Sequence, residues 1–212
     1  MVEVRTPRDR QAERRQATRA EILEAAWDLA RTNGVAGLSL GDVARRIGMK
    51  TPSLYWYFES KHAIYDAMFV QGNEQLLARL ELVRPGLSRR ALLRTGARTF
   101  IEFCVEDLAR YQLLFQRSIP DFEPTPEAYR SAIAVYEFMR ERYAQVGITR
   151  QSQFDMWTAL VSGLSAQQTS NDPGGDRWMR LVNPMVDMFL TAIDGATRPA
   201  RDRSAARAPA GS

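Results

Sequence analysis

The sequence predicts an all-α protein, with an N-terminal three-helix helix-turn-helix unit followed by a larger helical bundle. Three observations support that expectation. Apolar residues recur at helical spacing through nearly every segment from about residue 16 to 195. Ser, Thr or Asp stand at the segment starts with Gly or Pro at their ends, and alternation at the strand period is absent. A chain of 212 residues, 45% of them hydrophobic, can bury a core as one or two domains without disulfides or metal to hold it.

Each element has its own signals. Ile22, Ala25, Ala26 and Leu29 share one face of a first helix, expected to begin at a capping box of Thr18 and Glu21 and to stop at Gly34. Ser39 and Asp42 mark a second start, where a side-chain oxygen can accept orphan backbone N–H groups and an acid suits the positive helix end; Gly48 closes this helix. Thr51-Pro52 opens a third, with Thr as cap and Pro where a missing N–H costs nothing, running to near Phe58. Ser60 caps a longer helix carrying Ile64, Met68, Leu76, Leu77 and Leu80, closed by Pro85-Gly86. Further helices are expected near 88–108, 109–117, 125–146, 150–170 and 175–194, separated by Pro120, Pro124, Gly147 and the turn Asp172-Pro173-Gly174-Gly175. Pro184 is expected to kink the last helix or to lie in its break. Residues 1–15, polar and Arg-rich, read as a flexible arm and residues 196–212 as a disordered tail. The arm's Arg5, Arg8, Arg10, Arg14 and Arg15 could follow a phosphate backbone or enter a minor groove, and read equally as a solvated tail.

Composition narrows the function classes. The single cysteine, Cys104, excludes an intramolecular disulfide and any multi-cysteine metal site; flanked by Phe103 and Val105 it reads as buried and inert, with a redox-sensing thiol as the other reading. His62 is the sole histidine, without visible catalytic or metal-binding partners, and no Gly-rich phosphate loop, nucleophile elbow or metal-ligand cluster occurs. No cofactor, metal or enzymatic activity is expected. The N-terminus lacks the apolar core of a signal peptide and no uncharged apolar run reaches about 18 residues, so the expectation is a soluble cytoplasmic protein without a membrane partner. A net charge of +4 suits a polyanionic partner but is modest for the length.

The segment 39–58, SLGDVARRIGMKTPSLYWYF, is more specific. Leu54 and Phe58 are four apart and share a face, which packs against Val43, Ala44 and Ile47 of the preceding helix. Lys50, Thr51, Ser53, Tyr55, Trp56 and Tyr57 are then left wholly or partly on other faces, and three consecutive aromatics cannot all be buried. Between Val43 and Phe58 the chain carries Arg45, Arg46 and Lys50 and no carboxylate. Tyr can donate to a phosphate while its ring packs on sugar, Ser and Thr can bond phosphates or base edges, and Lys50 supplies charge. The competing reading is a small helical bundle in which this aromatic run is only core.

Over about residues 16–76 the sequence resembles the tetracycline-repressor (TetR) family of one-component bacterial regulators. The resemblance lies in IleLeu-x-AlaAla at 22–26, Gly34, Leu38-Ser39-Leu40, Asp42-Val43-Ala44, Ile47-Gly48-Met49, Leu54-Tyr55-x-Tyr57-Phe58 and Ser60-Lys61. It implies that Tyr55 and Lys61 contact phosphates of double-stranded operator DNA, while Lys50, Thr51, Ser53, Trp56 and Tyr57 meet the groove; Ser39, at the start of the second helix, joins this DNA-contacting set. Pro52 stands where the family often has Gly and Trp56 where it often has a smaller or polar residue, so base preference does not transfer.

The resemblance also implies a division into a DNA-binding domain at 16–76 and a ligand-binding and dimerisation domain at 77–195. By that analogy Phe100, Phe103, Cys104, Tyr111, Phe115, Tyr136, Met139 and Trp157 are candidate walls for an apolar or aromatic effector, although Met and aromatic residues at this spacing are more often plain core. Ser162, Gly163, Ser165, Ala166, Trp178, Leu181, Val182, Met185 and Phe189 are the candidate homodimer interface, with packing inside one chain as the rival reading. The function so implied is a repressor that binds a palindromic operator as a dimer and is released by a small molecule. The alternatives are a helical small-molecule binding protein or enzyme, and a TetR-type activator without an inducing ligand.

Overall fold

The computed structural model describes residues 7–195, and among them there are helices and no strand. The chain runs through α1 (Pro7–Asn33), a 3-10 turn at Val35–Gly37, α2 (Leu40–Arg46), α3 (Thr51–Leu54), α4 (Lys61–Glu81), α5 (Arg89–Glu106), α6 (Leu108–Phe115), α7 (Pro126–Ala144), α8 (Gln151–Asn171), a second 3-10 turn at Met179–Leu181 and α9 (Val182–Gly195). Arg5 and the 196–212 segment lie outside the described residues.

Three start signals read from the sequence turn out differently. Helix α1 begins at Pro7, so Thr18 is not a cap but lies mid-helix, where its hydroxyl donates to Arg14 O at 3.1 Å. Residues 10–17 are mostly Arg, Gln, Ala and Glu, good helix formers that extend the element without an apolar stripe. Ser39 does occupy the N-cap of α2, but its side chain accepts no capping bond, and Asp42 pairs with Arg45 at 2.6 Å. Lys50 rather than Thr51 is the N-cap of α3. Ser60 caps α4 as expected, its Oγ accepting from Ala63 N–H at 3.0 Å.

The last helix also starts later than the spacing suggests. The buried Gln168 side chain accepts from the N–H groups of Trp178 and Met179 and donates to Gly175 O, which holds the connection as a loop up to the 3-10 turn. Pro184 consequently falls in the first turn of α9, where its missing N–H leaves no bond unmade.

The head core joins Ile22, Ala26, Trp27, Val43, Leu54, Phe58, Ile64 and Met68. Burying one such large side chain contributes roughly 2 kcal/mol. Two features make the boundary expected at residue 76 a continuous junction: α4 runs through it unbroken, and Ala109, Leu113 and Ile119 from α6 and its exit complete the head core. Behind the head, α4 packs chiefly on α7, and α5 packs on α8 and α9.

Candidate functional site

Two regions of the molecule are built for contact. In the first, α2 turns into α3 through Gly48, whose φ of 67° is a conformation that side-chain-bearing residues rarely adopt. Gly48 N–H donates to Arg45 O at 3.3 Å and Met49 N–H to Ala44 O at 2.8 Å, the paired bonds of a Schellman stop. Leu54 and Phe58 then point into the head core, and the next residues turn out: Tyr55 is 54% exposed and Trp56 78%. Ser39 and Lys50 are exposed; Thr51, Ser53 and Lys61 are half-buried along the same stretch. Tyr57 is also half-buried and leans on the head core, so the outward aromatic surface is chiefly Tyr55 and Trp56.

Charge on this surface is distributed unevenly. Arg45 is paired with Asp42 and Arg46 with Asp28, the latter at 2.7 Å, whereas Lys50 and Lys61 have no carboxylate partner among the described residues. Lys61 Nζ lies 5.6 Å from the Tyr65 ring centre. Arg15, read from the sequence as part of an arm, and Arg19, which the sequence did not single out, hold the end of the recognition segment from α1. Arg15 donates to Trp56 O at 2.9 Å, and Arg19 donates to Tyr57 O while its guanidinium sits 4.0 Å over the Phe58 ring. These two bonds satisfy carbonyls that the short α3 leaves unpaired. Burial, with the neighbouring Arg15 charge, lowers the Arg19 pKa from its ordinary value.

The second region is a partly open cavity of about 910 Å³ bordered by α4, α5, α6, α7, α8 and the 116–125 connection. Of the expected wall residues, Phe100, Phe115, Tyr136, Met139 and Trp157 line it. Phe103, Cys104 and Tyr111 do not. The Phe103 ring is buried under the Arg110 guanidinium, 3.6 Å away, and packs on Leu76 and Leu80. Cys104 is fully buried, and burial pushes its thiol up to about 12 despite a hydrogen bond with Ser165. Tyr111 is buried on α6, its ring 5.9 Å from that of Phe115.

The sequence did not mark Asn73, Gly96, Phe122 or Tyr143 as wall residues, yet all four line the cavity. A Cβ at Gly96 would lie 2.8 Å from the Tyr143 hydroxyl, so the tyrosine ring would have to shift to admit one. Burial raises the Tyr143 pKa well above its ordinary value, so this hydroxyl stays neutral.

The cavity is physically continuous with the head. Phe122, on the 116–125 connection, places its ring 5.2 Å from Tyr65 and 5.7 Å from His62 at the start of α4. Tyr65 in turn donates to Val35 O at 2.7 Å inside the head. Thr125 N–H donates to the Asp66 carboxylate at 3.0 Å. At the other end of α6, Asp107 caps the helix and receives the Arg31 guanidinium of α1 at 2.8 Å.

The expected dimer residues divide by burial. Ser162, Gly163 and Leu181 are exposed, and Ala166 and Trp178 are half-buried. Ser165, Val182, Met185 and Phe189 are buried within the single chain, Phe189 against Trp157 at 5.1 Å between rings, so none of these four offers a surface to a second chain. Their apolar character serves the core that α9 forms with α5 and α8. The outward stripes are Met156, Ala159 and Gly163 on α8, and Leu181, Pro184 and Met188 along the last 3-10 turn and α9.

Comparison with known proteins agrees with this geometry. The sequence profile of bacterial regulatory proteins of the tetR family matches residues 22–68. The chain is 43% identical over 179 residues to the tetracycline repressor protein class A from transposon 1721 of Escherichia coli, covering 82% of this chain and 78% of that protein. It is 33% identical over 85 residues to the Escherichia coli class D repressor, a match spanning 39% of this chain and only 37% of that protein. Among solved structures, the TetR family regulator PfmR from Thermus thermophilus superposes with a TM-score of 0.58 at 22% identity, over 80% of this chain and 96% of its own. A TetR-like regulator from Rhodococcus sp. RHA1 superposes at 0.60 and 20% identity, over 83% and 95%. No helix among the described residues is long and apolar enough to cross a membrane. Matched by the tetR-family profile over its helix-turn-helix and along most of its length by a tetracycline repressor, the chain belongs to the TetR family of bacterial transcriptional regulators, not to a family of enzymes.

Proposed function

We propose that the protein is a ligand-responsive repressor of the cytoplasm that binds a palindromic operator as a homodimer and leaves it when a small apolar or aromatic molecule fills the cavity. In this reading residues 16–76 carry the DNA contacts, residues 77–195 bind the second subunit, and the effector is held by residues 77–195 together with Phe69, Asn73 and Leu76 of α4. Tyr55 and Lys61 take phosphates; Ser39, Lys50, Thr51, Ser53, Trp56 and Tyr57 border the groove. The exposed stripes of α8 and α9 pair two chains, setting the two recognition segments roughly 34–36 Å apart, one turn of DNA.

The observation that carries the reading is that the cavity and the head share parts. Helix α4 lines the cavity through Phe69, Asn73 and Leu76 and starts in the head at Lys61. Phe122 touches the cavity on one side and Tyr65 and His62 on the other. A ligand that prefers a displaced 116–125 connection therefore biases α4 and, with it, the spacing of the two heads.

Genome-wide mapping of bound sites tests this reading. The expected result is a small set of palindromic sites, one of them beside the protein's own gene, with transcription rising when the gene is deleted. Falling transcription at those sites would replace repressor with activator; the absence of any sequence-specific site would overturn the reading.

A further inference from the structure

We infer that the cavity selects an uncharged, apolar-bodied molecule carrying a hydroxyl or N–H donor, which Asn73 holds through its amide oxygen; this rests on the cavity being the effector site. Asn73 is 3% exposed and lies on the α4 wall. Its Nδ2 donates to Phe69 O at 2.9 Å, and because a carbonyl can only accept, that bond fixes which end of the amide is nitrogen. The remaining Oδ1 receives no hydrogen bond from the described chain and is not among the polar atoms sealed from solvent, so it opens into the cavity. A ligand that enters displaces water from this acceptor, so a ligand donor that replaces the lost bond is favoured over an apolar group that leaves it unpaired.

Charge is excluded by what surrounds it. The only charged side chains on the cavity wall are Arg117 and Glu123, both strongly exposed and paired with each other at 3.4 Å. The wall instead presents rings, among them the buried Phe69, against which the exposed Tyr129 stacks at 15°, together with the neutral Tyr143 hydroxyl. An ionised group carried inside would lose its water and find no counter-charge. The volume of about 910 Å³ lies at the upper end of the range for ligand pockets, so the body is a substantial apolar one.

Three fluorescent probes sharing one ring system separate these demands: 1-pyrenemethanol, its methyl ether and 1-pyrenecarboxylate, titrated at pH 8 into the full chain. The alcohol should bind about fivefold more tightly than the ether, the scale of one hydrogen bond. The carboxylate should bind at least about a hundredfold more weakly than the alcohol. Asn73→Leu, which keeps the branched four-atom side chain without its polar atoms, should abolish the alcohol's advantage and leave the ether within about twofold. Should that variant not fold, the wild-type ratios still decide. An alcohol no tighter than its ether, a carboxylate as tight as the alcohol, or an advantage that survives Asn73→Leu overturns the selection and leaves the cavity as a binding site. If none of the three binds, the cavity reading fails and the selection with it.

Discussion

In the head, the largest outward side chains are Tyr55 and Trp56, standing on a frame in which Ile22, Leu54 and Ile64 are fully buried. In the bundle behind it Phe100, Phe154 and Trp157 do the opposite and turn inward around about 910 Å³ of space. The same residue types thus form an outward surface in one region and the wall of a cavity in the other. A reader of DNA needs its contact residues fixed before contact, and the head supplies that by dense packing with Arg15 and Arg19 holding the recognition segment. In the bundle the side chains instead surround a cavity bordered by the 116–125 connection, whose Phe122 also touches Tyr65 and His62 of α4.

The sharpest way to break this contrast is at residues 54 and 56. Leu54→Ala should cost about 3 kcal/mol in urea unfolding, the usual scale for an enclosed leucine. Trp56→Ala should change stability by less than about 0.5 kcal/mol while weakening operator binding about tenfold. Equal destabilisation by both would mean that Trp56 is structural and that the outward face is no contact surface.

Alkaline unfolding probes the opposite side of the contrast, the packed interior beside the cavity. Burial holds the Cys104 thiol near 12, against an ordinary value of 9.0. Between those values the unfolded chain releases a proton that the folded chain keeps. Stability present below pH 9 should therefore fall with rising pH, at most by about 1.4 kcal/mol per unit from this group. Cys104→Ala should flatten the slope between pH 9 and 11; an unchanged slope would mean that the thiol is not sequestered.

A smaller effect is expected where the two regions join. Arg31→Ala removes the guanidinium partner of the buried Asp107 carboxylate, which keeps its capping bond to Arg110 N–H. The half-exposed arginine limits the loss to about 1 kcal/mol, measured by thermal unfolding. Its more telling consequence should be weaker coupling, with a ligand that releases wild-type protein from DNA releasing the variant less completely.

How much of this was legible in the sequence also follows the division between the regions. The head announces itself locally: Leu54 and Phe58 share a face, Gly48 supplies the left-handed turn, and Ser60 caps α4. What was missed there acts over distance. Arg15 and Arg19 lie 41 and 38 residues before the carbonyls they hold, in a run with helix propensity but no apolar stripe to reveal it. The cavity was harder because core and cavity-wall positions have the same period; only absent volume between helices distinguishes Phe100 from Phe103. Asn73, Gly96 and Tyr143 come from three helices whose meeting no spacing records. On α9, Val182, Met185 and Phe189 are apolar for a core within the chain, while the milder Pro184 and Met188 face outward.

The most direct test of the regulator assignment is an anisotropy titration of wild type, Tyr55→Phe and Lys61→Ala against a palindromic fragment from the DNA flanking the protein's own gene, repeated across salt concentrations. The account predicts a saturable complex of two chains per site that survives about 0.15 M salt and discriminates against scrambled DNA. Lys61→Ala should weaken it and reduce the salt slope by about one, and Tyr55→Phe should weaken it about threefold, both without unfolding the protein. Equal affinity for scrambled DNA, or variants indistinguishable from wild type in affinity and slope, would contradict it.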